Sequence, residues 1–261
     1  MPELIEVEQY RAFLDRLCGL VVEAVEIPDR SFVRPKGVPI EVFDGLVGER
    51  LESTSRVGKL LLASFGPPHT YVVGMRFGMT GRLLIDGEGP IDVLEYSSSR
   101  NDPAWDRVVM NIGGHRISIR DQRRLGSVEL DPDLSVLGVD ATQLTVGELV
   151  GLCENRKKAI KSLLLDQSLV AGLGNLLVDE ILWHAGIDPL RPAGELGEAE
   201  LAILAPTIVT TVGVLSGRGG SHTGDSFALR HDGSVCSACV GEMRHDTVGG
   251  RSTWWCATHQ N

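Results

Sequence analysis

The last tenth of the chain holds Cys236, Cys239, Cys256 and His259 in the pattern C-x2-C-x16-C-x2-H. Two ligand pairs, each separated by two residues, have the spacing of a small zinc ribbon, in which each pair occupies one tight turn. The intervening segment, with Thr253, Trp254 and Trp255, suits a β-hairpin that brings the pairs together. A tail this short cannot bury a sufficient core, so bound metal would supply much of its folding energy. The expectation is one structural Zn2+ per chain with no open coordination position. His222, His231 and His245 compete as ligands but lack the paired spacing. Cys18 and Cys153 stand alone in apolar helical patterns and read as small buried hydrophobes.

Upstream, the hydrophobic period changes twice. Val7, Tyr10, Phe13, Leu14 and Leu17 recur at helical spacing, with Glu8, Arg11, Asp15 and Arg16 opposite. From Leu20 to about Leu130 short β-rich runs follow, at 59–65, 70–77, 82–85, 108–112 and 116–119, punctuated by Gly and Pro. Strands without alternating helices imply an antiparallel sandwich or barrel. After a linker at 131–144, helical patterns return at 145–155, 157–165, 175–185 and 197–215, and a Gly-, Ser- and His-rich stretch to Gly233 reads as a mobile loop. The fold class is therefore α+β and multidomain, with an N-terminal helix and β-sandwich at 1–133, a helical domain at 134–225 and the cysteine module at 226–261.

The 261 residues carry a formal charge of -10, which weighs against a polyanionic partner unless basic residues gather on one face. Arg116 to Arg124 and Arg156 to Lys161 are two such gatherings, though solvated charge runs look the same in sequence. No apolar run approaches the ~18 residues of a membrane span, and Glu3, Glu6 and Glu8 stand where a basic leader would be. A cytoplasmic monomer with no membrane partner is the expectation.

Pro2 follows the initiator Met, whose removal would expose a secondary amine able to form an iminium ion with an aldehyde carbon. An α-amine of pKa ~7.7 to 8.0 is unprotonated in roughly a tenth of molecules at neutral pH, far more than a lysine. Proline after Met is common, and alone it means little. Here the start Pro2-Glu3-Leu4-Ile5-Glu6-Val7-Glu8 resembles that of the formamidopyrimidine-DNA glycosylase and endonuclease VIII family. The resemblance recurs in order along the chain. It appears at Gly58-Lys59-Leu60-Leu61-Leu62, Gly78-Met79-Thr80-Gly81-Arg82-Leu83 and Asp121-Gln122-Arg123-Arg124-Leu125-Gly126. It continues from Ala159-Ile160-Lys161 through Leu169-Val170-Ala171-Gly172-Leu173-Gly174-Asn175 and Glu180 to Ala185-Gly186-Ile187-Asp188-Pro189.

The resemblance implies a helix-two-turn-helix domain in the helical half and a base-excision-repair glycosylase with abasic-site lyase activity on double-stranded damaged DNA, associated with the nucleoid. Pro2 would attack the sugar, Glu3 would shuttle protons with Glu6 in support, and Lys59, on its strand, would contact phosphate and assist elimination. Arg251 and Asn175 would grip phosphate, while Met79, Arg123, Arg124 and Leu125 would enter or flank the space of a flipped nucleotide. Met79 as core, the arginines as solvated charge, Asn175 as a helix cap and Lys59 reaching to solvent are the plainer readings of these residues. A non-cleaving damage binder and a zinc-ribbon adaptor are the rival functions. Ile5 replaces the family's second proline, Leu125 its phenylalanine and His259 its fourth cysteine. The stretch from Gly217 to Gly233 is shorter than the family's lesion-recognition loop and lacks its Tyr-Gly-Arg ending, which leaves base preference open.

Overall fold

The first helix, α1 (Leu4–Asp15), begins on a reciprocal cap: the Glu3 backbone N–H donates to Glu6 Oε2 at 2.8 Å, and the Glu3 side chain accepts from the Glu6 backbone. Two otherwise orphaned donors are satisfied this way. The computed structural model describes residues 2–91, 94, 98, 100 and 102–261. The expected removal of Met1 concerns a residue outside those described. The chain divides into two compact units, Met1–Leu134 and Ser135–Asn261.

In the first unit β1 (Val22–Glu26), β7 (Asp106–Ile112), β8 (His115–Arg120) and β6 (Arg82–Ile85) form one antiparallel sheet in the order β1-β7-β8-β6. The second sheet runs β2-β9-β5-β4-β3, from β2 (Val33–Arg34), β9 (Ser127–Leu130), β5 (Tyr71–Arg76), β4 (Leu60–Phe65) and β3 (Leu51–Val57). Only β2 with β9 is parallel among its described pairings. Alternate residues of both sheets share one core, including Met110, Ile112, Ile117 and Ile119 from the first and Leu61, Ala63, Phe65 and Met75 from the second. This is the period-two pattern of a sandwich. Val7, Tyr10 and Leu14 of α1 complete the core. Tyr10 lies 4.6 Å from Phe77 between ring centroids and donates its hydroxyl to Gly81 O at 3.3 Å. Burial pushes its phenol well above the ordinary value.

The second unit opens on a short parallel pair, β10 (Val139–Asp140) with β11 (Val170–Ala171). Its helices are α2 (Val146–Cys153), α3 (Ile160–Leu164), α4 (Asn175–Ala185) and α5 (Glu198–Arg218), and the hairpin of β12 (Arg244–Val248) and β13 (Arg251–Trp255) closes it. The expected helix over 157–165 is shorter. Residues before Ile160 are extended against 191–193, where Ala193 N donates to Lys158 O at 2.9 Å and Ile160 N to Arg191 O at 2.8 Å. The expectation that no apolar run approaches a membrane span needs correction, because an 18-residue stretch of the 21-residue α5 has a mean hydropathy of 1.7, enough by length and composition to span a bilayer. Leu201, Leu204, Ala205, Ile208, Val212 and Leu215 of α5 are buried, as in a core helix. The stretch expected to be a mobile loop carries two 3-10 turns, Ser221–Thr223 and Phe227–Leu229. Glu180 on α4 holds it by accepting from Asp225 N at 2.6 Å and Ser226 N at 2.9 Å. Burial pushes the Glu180 carboxyl up, but His184 and these donors together keep it below the usual range. The Glu180 hydrogen bond in turn raises the His184 pKa.

Lys161 joins this unit internally. Its ammonium is 0% exposed and meets Asp179 Oδ1 at 2.5 Å, Thr253 Oγ1 at 2.8 Å and Ser252 O at 2.9 Å. Arg230 pairs with the other Asp179 oxygen, which also accepts from Trp254 N at 3.3 Å. Breaking a buried ion pair from one side leaves an uncompensated charge, typically costing about 3–5 kcal/mol. Lys161→Met, which keeps the stem volume, is therefore expected to lower unfolding free energy by about 3 kcal/mol. Urea titration followed by circular dichroism measures it, and an unchanged midpoint would refute the assignment.

Candidate active site

Pro2 is buried immediately before α1, and Glu3 at the helix cap is 0% exposed. Polar contacts fix how α1 runs along β3. Arg11 donates to Thr54 Oγ1 at 3.2 Å, and Arg56, further along the strand, donates to Glu8 Oε2 at 3.3 Å. Stepping toward the helix start thus means stepping toward the end of β3, where Arg56 also donates to Gly58 O at 2.7 Å. Pro2 and Glu3 therefore lie at the same end of this helix–strand pair as Lys59. Lys59 is half-buried in the two-residue turn between β3 and β4, one position before the strand on which it was expected, because Val57 already pairs with Leu60. A proline whose nitrogen would become a secondary amine on removal of Met1, a buried carboxylate and an ammonium group share one edge of the sandwich. That combination can form an iminium ion, move a proton and hold an anion.

A second group lies on two loops of the same unit. Buried Asp121 accepts from Thr80 Oγ1 at 2.5 Å, from the Leu125 and Gly126 N–H groups at 2.8 Å each, and from Arg123 N at 3.1 Å. One carboxylate thus shapes the 121–126 loop and ties it to the 78–81 turn. Gly78 adopts φ 58°, and a Cβ there would meet the Leu125 carbonyl carbon at 2.5 Å, so only glycine permits this approach. Met79 and Arg123 come together, with Arg123 Nη1 3.7 Å from Met79 Sδ. Leu125 is 49% exposed, an apolar side chain presented outward. Arg124 turns back onto Asp29 at 2.8 Å. Asp121 was missed as a functional residue in the sequence; the signal was a lone acidic residue heading an arginine-rich run.

In the second unit Asn175 begins α4, and its Nδ2 donates to Ser252 O at 2.9 Å, the carbonyl that Lys161 also holds. Its Oδ1 is buried without a hydrogen-bond partner. The β12–β13 hairpin turns on Gly249 and Gly250, with φ of 57° and 73°, the paired positive values of a tight primed turn. Arg251 follows that turn and is exposed. The structure thus gathers Asn175 and Arg251 around the hairpin tip, with Lys161 buried beneath.

The thiols of Cys236, Cys239 and Cys256 have Sγ atoms within 4.8 Å of one another. Cys239 and Cys256 are 3.5 Å apart, against an edge of about 3.8 Å for a tetrahedron with Zn–S bonds near 2.3 Å. Trp183 Nε1 on α4 donates to Cys236 Sγ at 3.4 Å, and Gly241 N to Cys239 Sγ at 3.4 Å. Such donors steady thiolate ligands. The cluster can hold a metal ion. His259 stands outside this group of three, with its Nε2 2.8 Å from the Trp183 carbonyl oxygen.

The two basic gatherings are largely spent on internal partners. Arg116 and Arg120 pair with Asp106, Arg124 with Asp29, Lys158 with Asp166 and Lys161 with Asp179. Among the described residues, Arg123, Arg156, Lys157 and Arg251 form no ion pair and are exposed. The net acidity therefore coexists with a few uncommitted cations on the loops named above.

Comparison with known proteins places the chain by family and fold. Residues 1–128 match the formamidopyrimidine-DNA glycosylase N-terminal domain, and residues 137–223 match the H2TH domain of the same glycosylases. The formamidopyrimidine-DNA glycosylase of Parasynechococcus marenigrum is 34% identical over 287 residues, covering 100% of both chains. That of Brucella canis is 33% identical, again over 100% of both. Solved structures of Lactococcus lactis Fpg superpose with 25% identity and a TM-score of 0.83 for a complex with DNA containing an abasic site. For a complex with DNA containing an oxidised pyrimidine the values are 26% and 0.84, and each covers 100% of both chains. By sequence along its whole length and by fold, this chain belongs to the formamidopyrimidine-DNA glycosylase family.

Proposed function

We propose that this protein is a base-excision-repair DNA glycosylase with abasic-site lyase activity, acting on damaged double-stranded DNA through the amine of Pro2. The observation that carries the reading is the placement of Pro2 beside buried Glu3 at the capped start of α1, at the same end of the sandwich as Lys59. With Met1 removed, the Pro2 nitrogen attacks C1′ of a nucleotide turned out of the helix, and the C1′–base bond breaks as the base departs. Glu3 gives a proton toward the opening sugar and later takes one back. The opened sugar is then an iminium on Pro2. Loss of a proton from C2′ expels the 3′ phosphate, with Lys59 countering the developing negative charge. Glu6 keeps Glu3 in position through the shared cap.

Extruding a nucleotide costs a few kcal/mol, which side chains filling the vacated stack offset. Met79, Arg123 and Leu125 suit that role, since Asp121 shapes the loop that presents two of them. Arg124, paired with Asp29, braces the same loop. Asn175, with a second Nδ2 hydrogen, and Arg251 are assigned to backbone phosphates. In domain terms, 1–133 carries the chemistry, and 134–225 with 226–261 carries the DNA grip, in a monomer working on the nucleoid. One structural Zn2+ is assigned to Cys236, Cys239 and Cys256, with His259, which lies outside their cluster, as the fourth ligand on the strength of its spacing. The Nε2–H bond to the Trp183 carbonyl leaves Nδ1 as the acceptor, the tautomer a histidine ligand requires.

Borohydride treatment of a mixture with abasic-site DNA should trap a covalent adduct of the Met-processed protein. Pro2→Gly, or retention of Met1, should abolish or strongly reduce it, and an adduct indifferent to both would sink the mechanism. Glu3→Gln should slow base excision about 10²–10⁴-fold in single-turnover assays while leaving DNA binding intact. Arg251→Ala should weaken binding alike across DNA sequences and reduce the slope of log affinity against log salt by about 1. Atomic absorption should find one zinc per chain, and Cys236→Ser should lose it together with DNA binding.

A further inference from the structure

The C-terminal end of α4 carries a second group of metal-type donors, distant in sequence from the cysteines. Glu180 and His184, one helical turn apart, face Asp225 so that one donor atom from each lies within 4.8 Å of the other two. His184 Nε2 is 3.0 Å from Glu180 Oε1 and 3.6 Å from Asp225 Oδ2. A tetrahedral ion with bonds near 2.1 Å separates its ligands by about 3.4 Å, so both distances suit donors sharing one ion.

The surroundings match as well. Glu180 Oε2 accepts from Ser226 N at 2.9 Å and Ser226 Oγ at 2.5 Å, and Oε1 accepts from Asp225 N at 2.6 Å. Metal-bound carboxylates are oriented by outer donors of this kind. Arg218 holds Asp225 Oδ1 at 2.7 Å, which leaves Oδ2 toward His184. A cavity of ≈ 570 Å³, walled by Ile203, Pro206 and Val214 of α5, is lined by both His184 and Asp225. It gives a bound ion an open position for water or an oxygen-bearing ligand.

We propose that Glu180, His184 and Asp225 form a divalent-cation site of zinc-like preference, separate from the terminal thiols. One imidazole nitrogen with two carboxylate oxygens suits Zn2+ or Co2+, whereas Mg2+ prefers six oxygens. The ion enters by displacing the proton shared between His184 Nε2 and Glu180 Oε1, and that proton leaves to solvent. Its consequence is mechanical: Asp225, tied to α4 by its backbone hydrogen bond to Glu180 and its pairing with His184, gains a coordinate link to it. The competing account is an imidazolium bridging two carboxylates with no ion.

Co2+ titration of the full-length, zinc-loaded protein decides between them, read by native mass spectrometry and visible absorption. The expected result is a second equivalent with ligand-field bands and no thiolate charge-transfer band. Amide exchange at 225–227 should slow with it. His184→Gln and Asp225→Asn should each weaken the second equivalent by about 10–100-fold while retaining the terminal zinc. Asp225, on the surface, carries the test if the helix variant folds poorly. A stoichiometry fixed at one ion, or a second ion that both variants bind unchanged, overturns the proposal. Neither outcome bears on the glycosylase assignment, which adduct trapping tests separately.

Discussion

The Ser252 carbonyl oxygen is the point on which the second unit's arrangement turns. It accepts from the buried Lys161 ammonium and from the Asn175 amide, one on α3 and the other at the first residue of α4. Lys161 can be buried only because Asp179, Thr253 and this carbonyl together replace its water. Asp179 in turn needs Arg230 as well as Lys161. Two helices, the segment before the cysteines and the terminal hairpin are thereby coupled through one charged cluster, and Arg251 is displayed beside it. Such a network contributes geometry more than net stability, since desolvation consumes much of the Coulombic gain.

A single buried carboxylate also organises the loops of the sandwich unit. Asp121 spends its oxygens on Thr80 and on three backbone N–H groups of its own loop. Arg123 and Leu125 then project without a regular element beneath them. Pro2, the proposed nucleophile, is managed differently, by placing it directly before a capped helix that packs on the sandwich core. Placing the proposed reacting groups on a rigid element and the proposed DNA-contacting groups on braced loops is a sensible division, because chemistry tolerates less positional error than contact.

Much of this was legible in the chain. The strands at β4, β5, β6, β7 and β8 stand out as apolar, β-branched-rich runs because most of their residues are buried. β3 was not visible, since it is an edge strand whose Glu52, Ser53, Thr54 and Ser55 blur the alternation. The start of α3 was misplaced for a related reason: Arg156 to Lys158 have good helical propensity, but pairing with 191–193 overrides it. The hydropathy of α5 was underestimated because Pro206 and scattered threonines and glycines interrupt a segment that is otherwise free of charge from Leu201 to Gly217.

The order of motifs from Pro2 to the terminal cysteines was enough by itself to point to the family and the reaction class, because side-chain types at defined spacings carry the resemblance. Which charges are available was decided only in three dimensions. Arg116, Arg120 and Lys161 look like DNA-facing cations in a linear reading, yet the fold brings Asp106 and Asp179 to them. Long-range pairing leaves no mark on local sequence, since Asp179 lies 18 residues from Lys161 and Ser252 lies 91. The same holds for His259, whose spacing suggests a ligand while its second nitrogen finds the Trp183 carbonyl only after folding.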